Sequence, residues 1–222
     1  MFFTRFEFNP ARRGAKHLLA SPHRLHAAVL AAFPGEHSPV TKDGGRVLWR
    51  LDHPAHRALL YIVSPAQPDL THLVEEAGWP TTHTWDTRDY TPLLGRLAAT
   101  DTYAFRLTAN PTFSRAQPEG RGKRLGHVTV NQQLGWFLAR TERHGFTIPP
   151  VAADGEKEPD ATILSRTVHK FTRHGRTVTL ATATYGGTLE VTDPDALCAA
   201  LTRGIGPAKG YGCGLLTLAP AT

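Results

Sequence analysis

His23 and His26 stand three residues apart in the segment SPHRLHAAVLAAFP, residues 21–34, so a helix there carries both imidazoles on one face beside its apolar stripe. A neutral imidazole near pH 7 can take a proton from a ribose 2′-hydroxyl, and its protonated form can give one to a leaving 5′-oxygen. Together these are the two proton transfers of metal-free RNA cleavage by internal attack. Two histidines could also begin a zinc site, but no HExxH or Cys/His box follows and no third ligand sits at a recognisable spacing. Acid–base chemistry suits the pair better, and no metal is expected.

Two further groups bear on a polyanionic substrate. Arg166, Lys170, Arg173 and Arg176 fall at alternating or near-alternating positions along a stretch that reads as a strand hairpin. That spacing could gather several positive groups on one face, able to grip phosphates or enter an RNA groove; a merely solvated strand face is the alternative of equal weight. The run GIGPAKGYGCG, residues 204–214, holds five glycines between a helix and a strand. A dinucleotide fingerprint requires the opposite order, strand then helix, and a Walker A loop requires Gly before the lysine and Ser or Thr after it, where Ala208 and Gly210 stand. What remains is backbone that can approach a phosphate closely, with Gly206, Lys209 and Gly210 as its candidate contacts, or else a tight structural turn.

Elements able to position these residues follow from periodicity. FFTRFEF, residues 2–8, alternates as a strand with one buried face. After the basic turn Arg12-Arg13-Gly14, Ser21 is placed to cap a helix that Pro22 opens and Pro34-Gly35 ends. Strands over residues 46–51 and 58–63, a helix over 69–77 and a strand near 81–86 complete a βαββαβ unit. A second round runs from a strand over 103–109 through a helix over 131–144 and strands over 162–172 and 176–185. The short run 187–191 pairs with or extends the last of these, and a helix from Asp193-Pro194 to Arg203 and a strand over 214–218 follow. Two long polar stretches, 110–126 and 149–159, interrupt this round as loops, the first a flexible basic arm with Arg115, Arg121, Lys123 and Arg124. The reading is an α+β protein of two tandem ferredoxin-like (RRM-like) βαββαβ domains, residues 1–90 and 101–222. No aromatic RNP signature is present, so base stacking on a sheet is not the favoured mode.

The balance of the chain agrees. With 41% hydrophobic and 20% charged residues among 222, it can bury a core and is not disordered. Twenty-five Lys and Arg against 19 Asp and Glu give +6, with 12 histidines able to add charge below neutral pH, so a nucleic acid is the first partner to consider. Cys198 and Cys213 form no CxxC pair, and no apolar run is long enough to span a bilayer; a cytoplasmic protein without membrane contact is expected.

SPHRLHAAVLAAFP (residues 21–34), FRLTANPT (105–112) and GIGPAKGYGCGLLTLAP (204–220) stand in an order and at separations that resemble the CasE (Cse-type) endoribonucleases. That family processes CRISPR repeat RNA and remains in the type I-E Cascade surveillance complex. The resemblance implies two ferredoxin-like domains and metal-independent cleavage of a repeat hairpin, with no cofactor, leaving a 5′-hydroxyl and a 2′,3′-cyclic phosphate. It also implies the repeat hairpin, the mature guide RNA and the other Cascade subunits as partners. His26 matches the family's catalytic histidine, the strand face of Arg166 and Lys170 its hairpin-gripping region, and Lys123 and Arg124 its basic loop. The chain departs at one position, since relatives often carry tyrosine where His23 stands. His23 could replace that tyrosine as proton partner or phosphate ligand, or the site could rely on His26 with nearby cations. A non-cleaving RNA-hairpin-binding subunit of the same complex is the alternative function.

Overall fold

In the computed structural model, residues 1–33, 45–79, 85–115, 123–153, 156–173 and 175–221 are described. The first half builds β1 (Phe2–Phe8), α1 (Arg13–Leu19), α2 (Pro22–Leu30), β2 (Leu48–Asp52), β3 (Ala58–Ser64), α3 (Thr71–Ala77) and β4 (Trp85–Asp89). Its strands form an antiparallel sheet in the order β2-β3-β1-β4. After a short helix α4 (Thr91–Leu94), the second half adds β5 (Thr102–Ala109), β6 (Thr112–Arg115), β7 (Lys123–Gly126), α5 (Val130–Leu138), β8 (Phe146–Thr147), β9 (Pro150–Ala153) and β10 (Glu156–Pro159). The chain then continues through β11 (Ala161–Arg173), β12 (Arg176–Val191), α6 (Pro194–Arg203) and β13 (Leu216–Pro220). Here the order is β11-β12-β5-β13, with β8 on β12. In both sheets the first strand of the round lies between the third and the fourth, which is the ferredoxin-like arrangement expected from the repeated βαββαβ order.

Alternation explains β1: Thr4, Phe6 and Phe8 are buried and Arg5 is exposed. Phe6, Phe8, Leu25, Val29, Leu60 and Leu73 centre the first core, joining the sheet to α2 and α3. The second core holds Phe105, Phe137, Tyr185, Leu197 and Leu201, and it also takes in Leu48, Val63 and Tyr90 from the first half. The two halves therefore pack against one another.

Several elements differ from the sequence reading. Helix α1 occupies the segment taken as a turn, because Arg12 just before it donates to the carbonyls of Val74, Glu75 and Gly78 at the end of α3, a contact no local pattern shows. Ser21 is extended and precedes Pro22 as expected, but its side chain makes no capping hydrogen bond. The strand placed near 81–86 is β4, beginning at Trp85; residues 80–84 lie outside the described residues. The long polar stretches form hairpins, β6–β7 and β9–β10, off the main sheets; Arg121 of the expected basic arm lies outside the described residues. The helix expected over 131–144 stops at Leu138, and a 3-10 turn over Glu142–His144 ends on Gly145 in the left-handed region, φ 79°. Among the described residues no helix is long and apolar enough to cross a membrane.

A buried ion pair ties the halves together next to the glycine-rich run. Arg50 is 2% exposed and donates to both carboxylate oxygens of Asp52, at 2.8 and 2.9 Å. Its remaining donor reaches across to the carbonyls of Arg106 (2.8 Å) and Leu215 (3.1 Å), while Arg106 itself lies 3.3 Å from Asp52. Strand β2 is thereby clamped to β5 and to the residue that follows Gly214.

Candidate active site

Helix α2 turns His26 toward Trp49 on the clamped strand. The indole Nε1–H donates to His26 Nδ1 at 3.2 Å, and the rings lie 6.5 Å apart at 22°. Trp49 is 2% exposed, so its position is set by packing. The glycine-rich run closes over both rings. Gly212 has φ 78° and a Cβ there would lie 2.6 Å from the indole; a Cβ at Gly210 would lie 3.2 Å from His26 Nε2. Glycine is needed at Gly212 for its backbone conformation as well as for space, and at Gly210 it lets the backbone come up to the imidazole.

His26 is half-buried, and burial first, then the positive charges of His23, Arg46 and Arg173, lowers its pKa below the usual histidine value. Both effects favour the neutral ring. Since Nδ1 accepts from Trp49, its proton resides on Nε2, the nitrogen beside Gly210. His23 lies one turn earlier on α2, near enough for its charge to act on His26.

Cations complete the surroundings. Arg173 donates to the Tyr211 hydroxyl at 2.9 Å, with its guanidinium 5.9 Å from the ring, and Phe171 packs on the same ring at 5.0 Å. Arg46 acts electrostatically on both His26 and Lys209, whose ammonium pKa is lowered by burial and then by Arg46. The Arg46 Nε is buried and has no hydrogen-bond partner among the described residues. Beside this cluster lies a cleft of about 420 Å³ lined by Pro22, Leu25, Trp49, Thr167, His169 and Tyr211. Among the described residues no group of three His, Cys, Asp or Glu gathers as a metal site.

The residues singled out in the sequence are thus divided. His23, His26, Arg173, Lys209 and Gly210 share this neighbourhood. Arg173 and Arg176 are cross-strand partners at the end of the β11–β12 hairpin. Arg166 and Lys170 have the opposite parity to Arg173 on β11 and lie on the other face, where Arg166 donates to the Val128 carbonyl beside α5. The expected single basic face is two faces. Gly206 packs against Trp136, and Arg124 of β7 lies on the same side; the Lys123 side chain lies outside the described residues. Trp49 and Arg46 were not singled out, since RVLWRL reads only as a strand and nothing local ties it to α2.

A family model described as CRISPR associated protein matches residues 1–220. The CRISPR-associated endoribonuclease Cse3 of Thermus thermophilus is 31% identical over 230 aligned positions, covering 99% of this chain and 100% of that protein. The Cascade subunit CasE of Escherichia coli is 29% identical over 124 residues, 52% of this chain and 57% of that protein. Among solved structures, Cse3 bound to a 19-nucleotide RNA superposes with a TM-score of 0.81 at 28% identity, covering 99% of this chain and 100% of the other. A Thermus thermophilus Cse3 complex with an RNA representing the pre-cleavage state gives 0.77 at 28% identity, over 99% and 98%.

Proposed function

The chain belongs to the CRISPR-associated protein family, alongside the Cse3 and CasE proteins, and on that premise we propose that it is the endoribonuclease that cuts CRISPR repeat RNA at its hairpin to give mature guide RNA. The observation that carries the reading is His26, held by Trp49 with its Nε2 edge against the Gly210 backbone and within the field of His23, Arg46 and Arg173. RNA bound by Cse3, and membership of CasE in Cascade, support retention of the product with the other Cascade subunits as partners.

The chemistry proposed is internal transesterification without metal. The 2′-oxygen attacks the adjacent phosphorus as the bond to the 5′-oxygen breaks; one proton leaves the 2′-hydroxyl and one arrives on the 5′-oxygen. His26 is assigned the leaving 5′-oxygen, to which it gives a proton from Nε2 as the imidazolium, and His23 the 2′-hydroxyl. The scissile phosphate, arriving beside the ring, offsets the surrounding cations and favours the imidazolium that delivers the proton. Arg46, Arg173 and Lys209 stabilise the charge of the pentavalent transition state. Arg176, together with Arg166, Lys170, Lys123 and Arg124, contacts RNA phosphates away from the bond cut, and the backbone of Gly206 and Gly210 allows the strand to approach closely.

The first test is cleavage of the cognate repeat hairpin in EDTA, against a matched RNA with 2′-deoxyribose at the scissile nucleotide. Cutting of the ribose substrate, none of the deoxy substrate, and a 2′,3′-cyclic phosphate in the product mass spectrum are expected. Cutting of the deoxy RNA, or loss of all cutting in EDTA, would overturn the mechanism. Tight binding without cutting would make the protein a non-cleaving RNA subunit.

The division of roles has its own test in Trp49→Phe. The indole N–H favours the neutral imidazole, so its loss lets the imidazolium persist to higher pH. With His26 as proton donor, the alkaline limb of the single-turnover pH profile is expected to rise by about 0.5–1 pH unit, the worth of one hydrogen bond. Movement of the acidic limb instead would make His26 the base.

A further inference from the structure

On the far side of the glycine-rich run from His26 lies a groove of about 850 Å³ that the cleavage chemistry does not use. Its walls come from the β6–β7 hairpin and from α5 with the turn that follows it. Arg124, Arg140 and Arg143 line it, with no carboxylate among the described lining residues. Phe113, 43% exposed, packs on His127 with ring centroids 4.9 Å apart. Opposite, Arg140 is fixed by donating to the Trp136 carbonyl at 2.7 Å and lies 4.1 Å over the indole. The exposed Phe113 ring, backed by His127, and the guanidinium over Trp136 are surfaces on which an unpaired base can stack, whereas bases in a duplex are already stacked on one another.

The loop joins this groove to the cutting site. Gly206 lines the groove against Trp136, and Gly210, four residues on, touches His26. Four residues of chain span at most about 14 Å. The groove is therefore within reach of nucleotides next to the scissile phosphate.

We propose that this groove binds single-stranded RNA flanking the repeat hairpin, with bases stacked on Phe113 and His127 and phosphates held by Arg124 and Arg143. The proposal rests on the assignment of the protein as a repeat-RNA endoribonuclease and names the part of the substrate that this second surface reads. Because Phe113 and Arg143 are exposed side chains, Phe113→Ala with Arg143→Ala is a variant suited to test it.

The experiment measures affinity of the full chain for non-cleavable RNAs carrying 2′-deoxyribose at the scissile position: the bare hairpin, and the hairpin with a single-stranded extension on its 5′ or its 3′ side. The wild type is expected to bind one extended RNA at least about 5-fold more tightly than the bare hairpin, the lower bound for one stacked base. The double variant is expected to lose that gain. Absence of a gain in the wild type, or its persistence in the variant, overturns the proposal. Equal losses for bare and extended RNA also overturn it, placing the duplex stem in the groove. Cutting of the all-ribose hairpin by the same preparations is read in parallel: cutting without a flank effect sinks only the groove, while absence of cutting sinks the endonuclease assignment.

Discussion

His26→Ala is expected to slow single-turnover cleavage of the repeat hairpin by about 10²–10⁴-fold, the usual worth of a positioned proton-transfer group, while RNA affinity is retained. Retention follows because Arg46 and Arg173, the cations that act on the ring, remain in place. The side chain removed is half-buried and, among the described residues, hydrogen-bonded to Trp49, so the Arg46 and Arg173 guanidiniums carry the phosphate attraction without it. The space opened beside Gly210 provides a further measurement: imidazole added to the buffer should restore part of the rate in His26→Ala. Loss of affinity together with cleavage, and no rescue, would mean that His26 serves chiefly to pack Trp49 under the glycine-rich run.

Much of the fold was legible because each round of the chain carries its own period. FFTRFEF alternates, the segment from Asp193-Pro194 to Arg203 is capped by Asp193, and both read the same way in isolation as in the structure. What was not legible depends on contacts distant in sequence. Helix α1 begins at a basic turn because Arg12 satisfies carbonyls at the end of α3, more than 60 residues away. In the candidate site, His26 stood out through a family resemblance and not through spacing, since any pair of histidines three apart on a helix looks the same. Trp49 was invisible for a related reason: its value lies in one N–H pointed at a helix 23 residues earlier. The basic hairpin was misjudged on parity. Arg166 and Lys170 share a face by the two-residue period, Arg173 does not, and only the contacts to Val128 and Tyr211 show that each face has a different neighbour.

The glycine-rich run now has a physical reason for its density. Along a few residues it must pass Trp136, His26 and Trp49 at distances where a Cβ would collide or crowd, and these three rings belong to three different elements. The run therefore records how closely the second half of the chain approaches the first, and the approach must be held from elsewhere.

Arg50 is the residue that holds it, and Arg50→Ala is expected to lower the free energy of unfolding by about 3–5 kcal/mol, read from urea denaturation. The loss comes from leaving the 8%-exposed Asp52 with, among the described residues, the 3.3 Å contact to Arg106, and from removing a donor from the carbonyls of Arg106 and Leu215. Replacing both partners, Arg50→Met with Asp52→Leu, should recover most of that stability, because no charge is then buried alone. Cleavage should not recover with it. Met at position 50 cannot reach two carbonyls across the junction, and Leu215 adjoins the run that presses Gly210 on His26 and Gly212 on Trp49. A double variant that is stable yet cuts slowly would separate the two roles of the clamp, folding energy and alignment of the site. Full recovery of both would show that the cores alone set the alignment.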